Sequence, residues 1–343
     1  MKPQIWENFP EDLFEIVLAR LPLASIFCFR TVCRQWNNFL TSQSFFQHFD
    51  QISQVNPWFY TTFGNSNYVA VYDPFMKRWY CPSVTQTPDM PVLPVSSTRG
   101  LVCFYDTSYH DLCVCNPLTR SFKILPTGSI ASWVFSGMTM NGSAGYRVLR
   151  LGIGGEYEIY DSVTKYWSLG QIHAGIMIPQ LFPSFSKPVA IGTTLYIRHM
   201  FPEGILSCDT STGVWTQHLF PAPLNTSYIT LVESDGHIMY VGLLTENDAT
   251  YVCIWELSKT SLLLKEVDRM KCLEFYKKVA DLTCFGTKGW LMLHLQSHNM
   301  YHMFTYNIAN REWLKVFVPF EIKLHSYNQV SGTTFQPCLT AMP

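Results

Sequence analysis

The chain has 343 residues, enough for two domains or for one large repeat domain with an appendage, and its 24 basic and 25 acidic side chains leave it near neutral. A near-neutral chain lacks the electrostatic footprint that a phosphate backbone or an anionic bilayer selects, so neither nucleic acid nor a membrane is an expected partner. Charged residues make up only 14% of the chain, against about 25% in an average soluble domain, while aromatics reach 15%. That balance suits half-buried strands and a surface that partly needs a partner.

The N-terminus reads MKPQIWENFPEDLFE, with acidic residues where a secretory signal carries basic and then apolar ones, so export by that route is not expected. Every apolar run is interrupted well short of the roughly 18 residues of a membrane span. The 11 cysteines are odd in number and form no CxxC pair, which in a non-secreted chain predicts reduced thiols and a home in the nucleus, the cytoplasm or both.

Up to about residue 50 the apolar pattern is helical. Leu13, Ile16, Val17 and Leu21 recur at helical spacing behind Pro10, which suits a first turn, with Glu11 and Asp12 on the positive end of the helix dipole. Leu21-Pro22 ends that helix. The stretch LASIFCFR leads to Val32, Trp36, Phe39 and Leu40, again one helical face, and Phe45 and Phe46 follow. Three short helices are expected, burying too little apolar surface to be comfortable alone.

The string FPEDLFEIVLARLPLASIFCFRTVCRQWNNFLTSQSFF resembles an F-box, through Phe9-Pro10, Leu13 and Ile16, Leu21-Pro22, Arg30, Val32 and Cys33, Trp36 and Phe45. Phe9 stands where the family usually has Leu and keeps an apolar anchor. The resemblance implies docking on the Skp-type adaptor of an SCF ubiquitin ligase. Its adaptor-facing or adaptor-supporting set would be Phe9, Pro10, Leu13, Ile16, Leu21, Pro22, Val32, Cys33 and Trp36, some of which must pack the module's own core.

Beyond Pro57 the sequence repeats. An acidic or amide residue stands six positions before a bulky apolar one: Asp73 to Trp79, Asn116 to Phe122, Asp161 to Trp167, Asp209 to Trp215, Glu256 to Leu262, and Asn307 to Trp313, at intervals of 43 to 51 residues. Each copy holds short runs rich in Val, Ile, Tyr and Trp separated by Gly, Asn, Asp and Pro, as antiparallel hairpins require. The Asp or Asn suits the end of one strand, where its side chain closes a turn, and the Trp opens the next. Four strands in forty-odd residues, six times over, is a propeller period. A propeller must join its last blade to its first; the first copy has room for three strands, and Gln329–Pro337 is predicted to return as its innermost fourth.

These blades resemble kelch repeats, loosely, since the double glycine is seldom complete. Taken whole, the chain is similar to plant F-box/kelch-repeat proteins of the leaf-curling-responsiveness type, through segments such as NPWFYTTF, GLVCFYD, GEYEIYDS, PEGILSCD and GTTFQP. The expected fold is a small all-α F-box over residues 3–50 followed by an all-β, six-bladed kelch-like propeller over 57–337.

Other patterns carry less. His294, His298 and His302 are four apart, but LMLHLQSHNMYHMFTY reads as strand, turn, strand, with no helix to gather a zinc site. Gly152-x-Gly154-Gly155 leads into a strand and lacks the spacing and helix of a phosphate loop, so a hairpin turn is expected. Cys113-x-Cys115 lies within one strand and has no second pair to complete a zinc set. Some kelch propellers are copper oxidases, yet no spacing of Tyr, His and Cys here singles out a ligand set, and no nucleophile signature such as GxSxG occurs. No cofactor, metal or catalytic residue is expected. The resulting expectation is a non-enzymatic substrate receptor: the F-box recruits the adaptor and through it cullin and RING subunits, and the propeller holds a target protein for ubiquitination and degradation. The alternative is a propeller with a small-ligand or enzymatic site, the helices serving as a cap.

Overall fold

The computed structural model describes residues 11–52, 56–63, 69–80, 92–106, 109–142, 145–176, 187–200, 202–258, 261–272, 279–297, 300–317 and 330–343. Four helices open the described chain: α1 Glu11–Ala19, α2 Leu23–Arg30, α3 Arg34–Leu40 and α4 Gln43–Ile52. The fourth corrects the expected three. Ser42 starts it, its hydroxyl accepting from the Phe45 amide at 3.2 Å, and Phe45 and Phe49, one turn apart, are fully buried. A three- and four-residue apolar spacing was present in SFFQHF, but the polar residues around it mask how much that face buries.

Six four-stranded antiparallel sheets follow. Their innermost strands, Val330–Phe335, Val92–Thr98, Trp133–Asn141, Val189–Ile191, Thr226–Ser234 and Val279–Thr287, each touch the next around one axis and close a ring. The architecture is thus a six-bladed propeller. Val330–Phe335 pairs with Trp58–Phe63, from Trp58 opposite Phe335 to Phe63 opposite Val330, so the first blade takes its inner strand from the C-terminal end. That pairing covers the edge of Trp58–Phe63 that faces the axis and ties the end of the last blade's chain into the first blade.

The repeat motif has a clear physical basis. Asp73 Oδ1 accepts from the amides of Phe75 and Met76, Asn116 Oδ1 from Leu118, Asp161 Oδ1 from Val163, Asp209 Oδ1 from Ser211 and Asn307 Oδ1 from Asn310. Each cap closes the turn between the third and fourth strands, and four residues on the backbone turns left-handed at Lys77, Arg120, Lys165, Gly213 and Arg311. The indole that follows reaches back to the preceding blade: Trp79 Nε1 donates to Phe317 O at 2.8 Å, Trp167 Nε1 to Pro126 O at 2.7 Å and Trp313 Nε1 to Asp268 Oδ2 at 3.1 Å.

The fifth copy is shifted from the expected register. Ser258, not Glu256, caps its turn, accepting from the Ser261 amide at 3.3 Å, and the left-handed residue four positions on is Leu262 itself. Leu264 then takes the Trp position, opposite Leu257. A serine hydroxyl can serve as a turn acceptor in place of a carboxylate, which hid the true spacing.

Candidate functional site

The helical module sits on the rim formed by the ends of the inner strands. One apolar core runs from Leu18, Ile26, Phe45 and Phe49 of the helices into Trp58, Val102 and Phe335 of the first two blades and Leu339 of the C-terminal segment, with Phe27 of α2 and Leu118 of the second blade's turn packed beside it. Arg30 at the end of α2 donates to Asn37 Oδ1 at 3.2 Å, and burial, with the Arg120 charge of the second blade, lowers its guanidinium below the usual range. The helices are therefore seated on the propeller and not tethered loosely beside it.

That seating divides the residues expected to meet an adaptor. Leu13 is 50% exposed and Val32 64% exposed, so both present apolar surface to solvent. Val17, one turn after Leu13 on α1, is equally exposed and extends the same helical face; its spacing was visible in the sequence, but nothing there marked that face as uncovered. Pro22 is exposed at the start of α2, where its carbonyl accepts from the Ser25 amide at 2.8 Å. Cys33 is exposed and caps α3, its sulfur accepting from the Trp36 amide at 3.5 Å. Ile16 is half-buried. Leu21 and Trp36 pack against the shared core, Trp36 with its ring centroid 5.3 Å from Phe14 and 5.2 Å from Phe29. Phe9 and Pro10 lie outside the described residues.

The opposite rim carries the hairpins between second and third strands and the connections from blade to blade. Exposed apolar side chains stand there on three blades: Tyr109 at 69%, Ile153 at 68% and Leu224 at 84%. Gly152 to Gly155 forms one of these hairpins, between Gly145–Gly152 and Glu156–Asp161.

At the propeller axis, Lys187 reaches across the channel. Its Nζ donates to Pro94 O at 2.7 Å, Ser331 Oγ at 2.8 Å and Gly332 O at 2.6 Å, linking the approach to the fourth blade with the inner strands of the second and first. Burial lowers its amine to about 7. His294 is buried nearby, and burial and then the Lys187 charge hold it down to about 3, so it is neutral. His302 stands opposite Leu295 in the neighbouring strand, hence on the other sheet face from His294, and His298 lies outside the described residues. Among the described residues no three His, Cys, Asp or Glu side chains gather as a metal set. Cys115 is buried and Cys113 half-buried, burial pushing the Cys113 thiol up to about 11.

Residues 6–48 match the F-box domain, and residues 76–317 match the family described as F-box protein At3g26010-like, beta-propeller. F-box only protein 6 of Arabidopsis thaliana is 48% identical over 328 residues, covering 92% of this chain and 70% of that protein. SKP1-interacting partner 15 of Arabidopsis thaliana is 30% identical over 138 residues, 34% of this chain and 37% of that protein. Among solved structures, TolB from Acinetobacter baumannii superposes with a TM-score of 0.54 over 85% of this chain and 72% of its own, at 10% identity, a likeness of fold alone. With an F-box seated on a propeller and both parts matched in sequence, the chain belongs to the plant F-box proteins that carry a C-terminal β-propeller.

Proposed function

We propose that the chain is the substrate receptor of an SCF-type ubiquitin ligase, of the leaf-curling-responsiveness type. The observation that carries this is the two-sidedness of the helical module: one side is packed into the propeller core, while Leu13, Val17 and Val32 leave apolar surface in water, where a partner would bury it. The relationship to a protein named for its interaction with SKP1 supports an adaptor as that partner. The adaptor-binding set is then led by Leu13, Val17 and Val32, with Ile16, Pro22 and Cys33 at its margins and Leu21 and Trp36 supporting it from beneath.

Cullin and RING subunits join through the adaptor, in the nucleus or the cytoplasm, and a target protein docks on the far rim, around Tyr109, Ile153 and Leu224. The two domains divide the labour, residues 3–50 recruiting and 57–337 holding cargo. In this reading the chain breaks no bond; it holds a target lysine near the conjugating enzyme and so raises its effective concentration. Mixing the purified chain with a Skp-type adaptor, then with cullin and RING subunits, is expected to carry all four into one size-exclusion peak. A chain that elutes apart from the adaptor defeats the reading.

A further inference from the structure

The last residues of the chain do more than follow the closing strand. Asp50, near the end of α4, accepts at Oδ1 from the Leu339 amide at 3.1 Å, and at Oδ2 from the Thr340 amide at 2.9 Å, the Cys338 thiol at 3.2 Å and the Thr340 hydroxyl. From the other side, Asn116 Nδ2 donates to the carbonyls of Cys338 and Ala341, both at 2.9 Å. Leu339 is 4% exposed in the core shared by helices and blades. Gly100, in the inner hairpin of the second blade, has φ +82°, and a Cβ there would stand 2.5 Å from the Cβ of Cys338, so the segment lies against bare backbone.

Asn116 is the turn-capping residue of the second blade, a position that is Asp in the first, third and fourth. Its carbonyl oxygen does the capping, with the Leu118 amide at 3.0 Å, and its amide nitrogen holds the tail. A carboxylate could do the first task and not the second, because it has no proton to donate. Asn116 is fully buried, so an unpaired amide there would be costly, and the tail satisfies it.

We propose that the C-terminal segment 336–343 is a strut that fixes the orientation of the F-box helices on the propeller, with Asp50 and Asn116 as its positioning residues. The shared apolar core seats the helices but is not directional, whereas this segment, bonded to α4 at Asp50 and to the second blade at Asn116, supplies directional bonds between the two. A fixed orientation sets one distance between the adaptor-facing helices and the far rim. The consequence for ubiquitin transfer rests on the receptor reading above; the strut itself does not.

The test uses the full chain with Asn116→Asp, which keeps the turn cap and turns the donor into an acceptor, and separately Asp50→Asn. Hydrogen exchange is read at the Leu339 and Thr340 amides, together with small-angle scattering of the chain alone and bound to adaptor. Both variants are expected to exchange those two amides at least about tenfold faster, because Asp50→Asn weakens their own acceptor and Asn116→Asp removes the two bonds that hold the segment from the other side. Inner-strand amides should keep wild-type protection, and the scattering of each variant should broaden toward several orientations, with adaptor affinity unchanged. Unaltered exchange at Leu339 and Thr340, or unbroadened scattering once those amides are released, overturns the strut. Absence of adaptor binding by the wild type would sink the receptor reading while leaving the exchange and free-chain scattering to decide the strut.

Discussion

Glu158→Ala removes one half of a buried ion pair that ties the connection between the second and third blades to the third. Glu158 is fully buried and Arg150 is 3% exposed. The carboxylate accepts from Arg150 Nη1 at 3.2 Å and from the amide and hydroxyl of Ser129 at 2.9 and 3.1 Å. The guanidinium lies 4.6 Å from the ring centre of Trp167 and 5.6 Å from that of Trp133. Gly128 makes room for the carboxylate, since a Cβ there would stand 1.8 Å from Glu158 Oε1. Alanine leaves the cation buried without its anion, a loss of about 3–5 kcal/mol. For a cooperative unit of this size about 1 kcal/mol moves the midpoint by about 2 °C, so thermal unfolding followed by circular dichroism should shift down by about 6–10 °C. Arg150→Met with Glu158→Leu, which removes both charges and keeps apolar volume between the two tryptophans, should recover most of that loss. A Glu158→Ala midpoint within about 1 °C of wild type would show that the pair is not a buried tie, because shifts that small belong to surface substitutions.

Lys187→Met should flatten the pH dependence of stability. The folded value near 7 lies below the ordinary 10.5, so between them the unfolded chain holds a proton that the folded chain has released, and stability rises with pH across that window. Below 7 the amine is charged in both states and its burial cost is carried in full. Melting curves of wild type and variant across that window should diverge in slope, and parallel curves refute the assignment. Leu264→Ala should destabilise by about 2 kcal/mol or more and Leu262→Ala by clearly less, because Leu264 holds the packed position of the fifth blade; equal losses in urea unfolding contradict the corrected register. Deleting residues 330–343 removes the inner strand of the first blade and should yield aggregating protein in size-exclusion analysis, whereas a monomer with the wild-type midpoint would mean that the ring does not depend on its closure.

The parts legible in the sequence were those that local chemistry writes. Turn caps such as Asp161 and Asp209, followed by an aromatic that must be covered, repeat because each blade solves the same local problem, and six copies fixed the propeller. Where a different residue type solves it, as Ser258 does, spacing alone misplaces the motif by two residues. Helical periodicity found the faces of α1 and α3 but could not say which neighbour covers them. Leu13 and Leu18 belong to one helix, yet Leu13 is half in water and Leu18 is 4% exposed. Contacts between distant segments left no trace: Asp50 meets Thr340 across 290 positions, and Lys187 meets Gly332 across 145. Asn116 showed its capping role but not its second partner, because the donor side of an amide is invisible unless its acceptor is known.

The most direct test of the receptor assignment is adaptor capture by the full chain beside the triple variant Leu13→Asp, Val17→Asp and Val32→Asp. These side chains are at least half exposed, so the folded chain should tolerate the charges with little loss of stability while a buried apolar contact could not. Immobilised Skp-type adaptor is predicted to retain the wild type and to release the variant, with the two melting alike. Equal retention of both, or no retention of the wild type, would contradict the account.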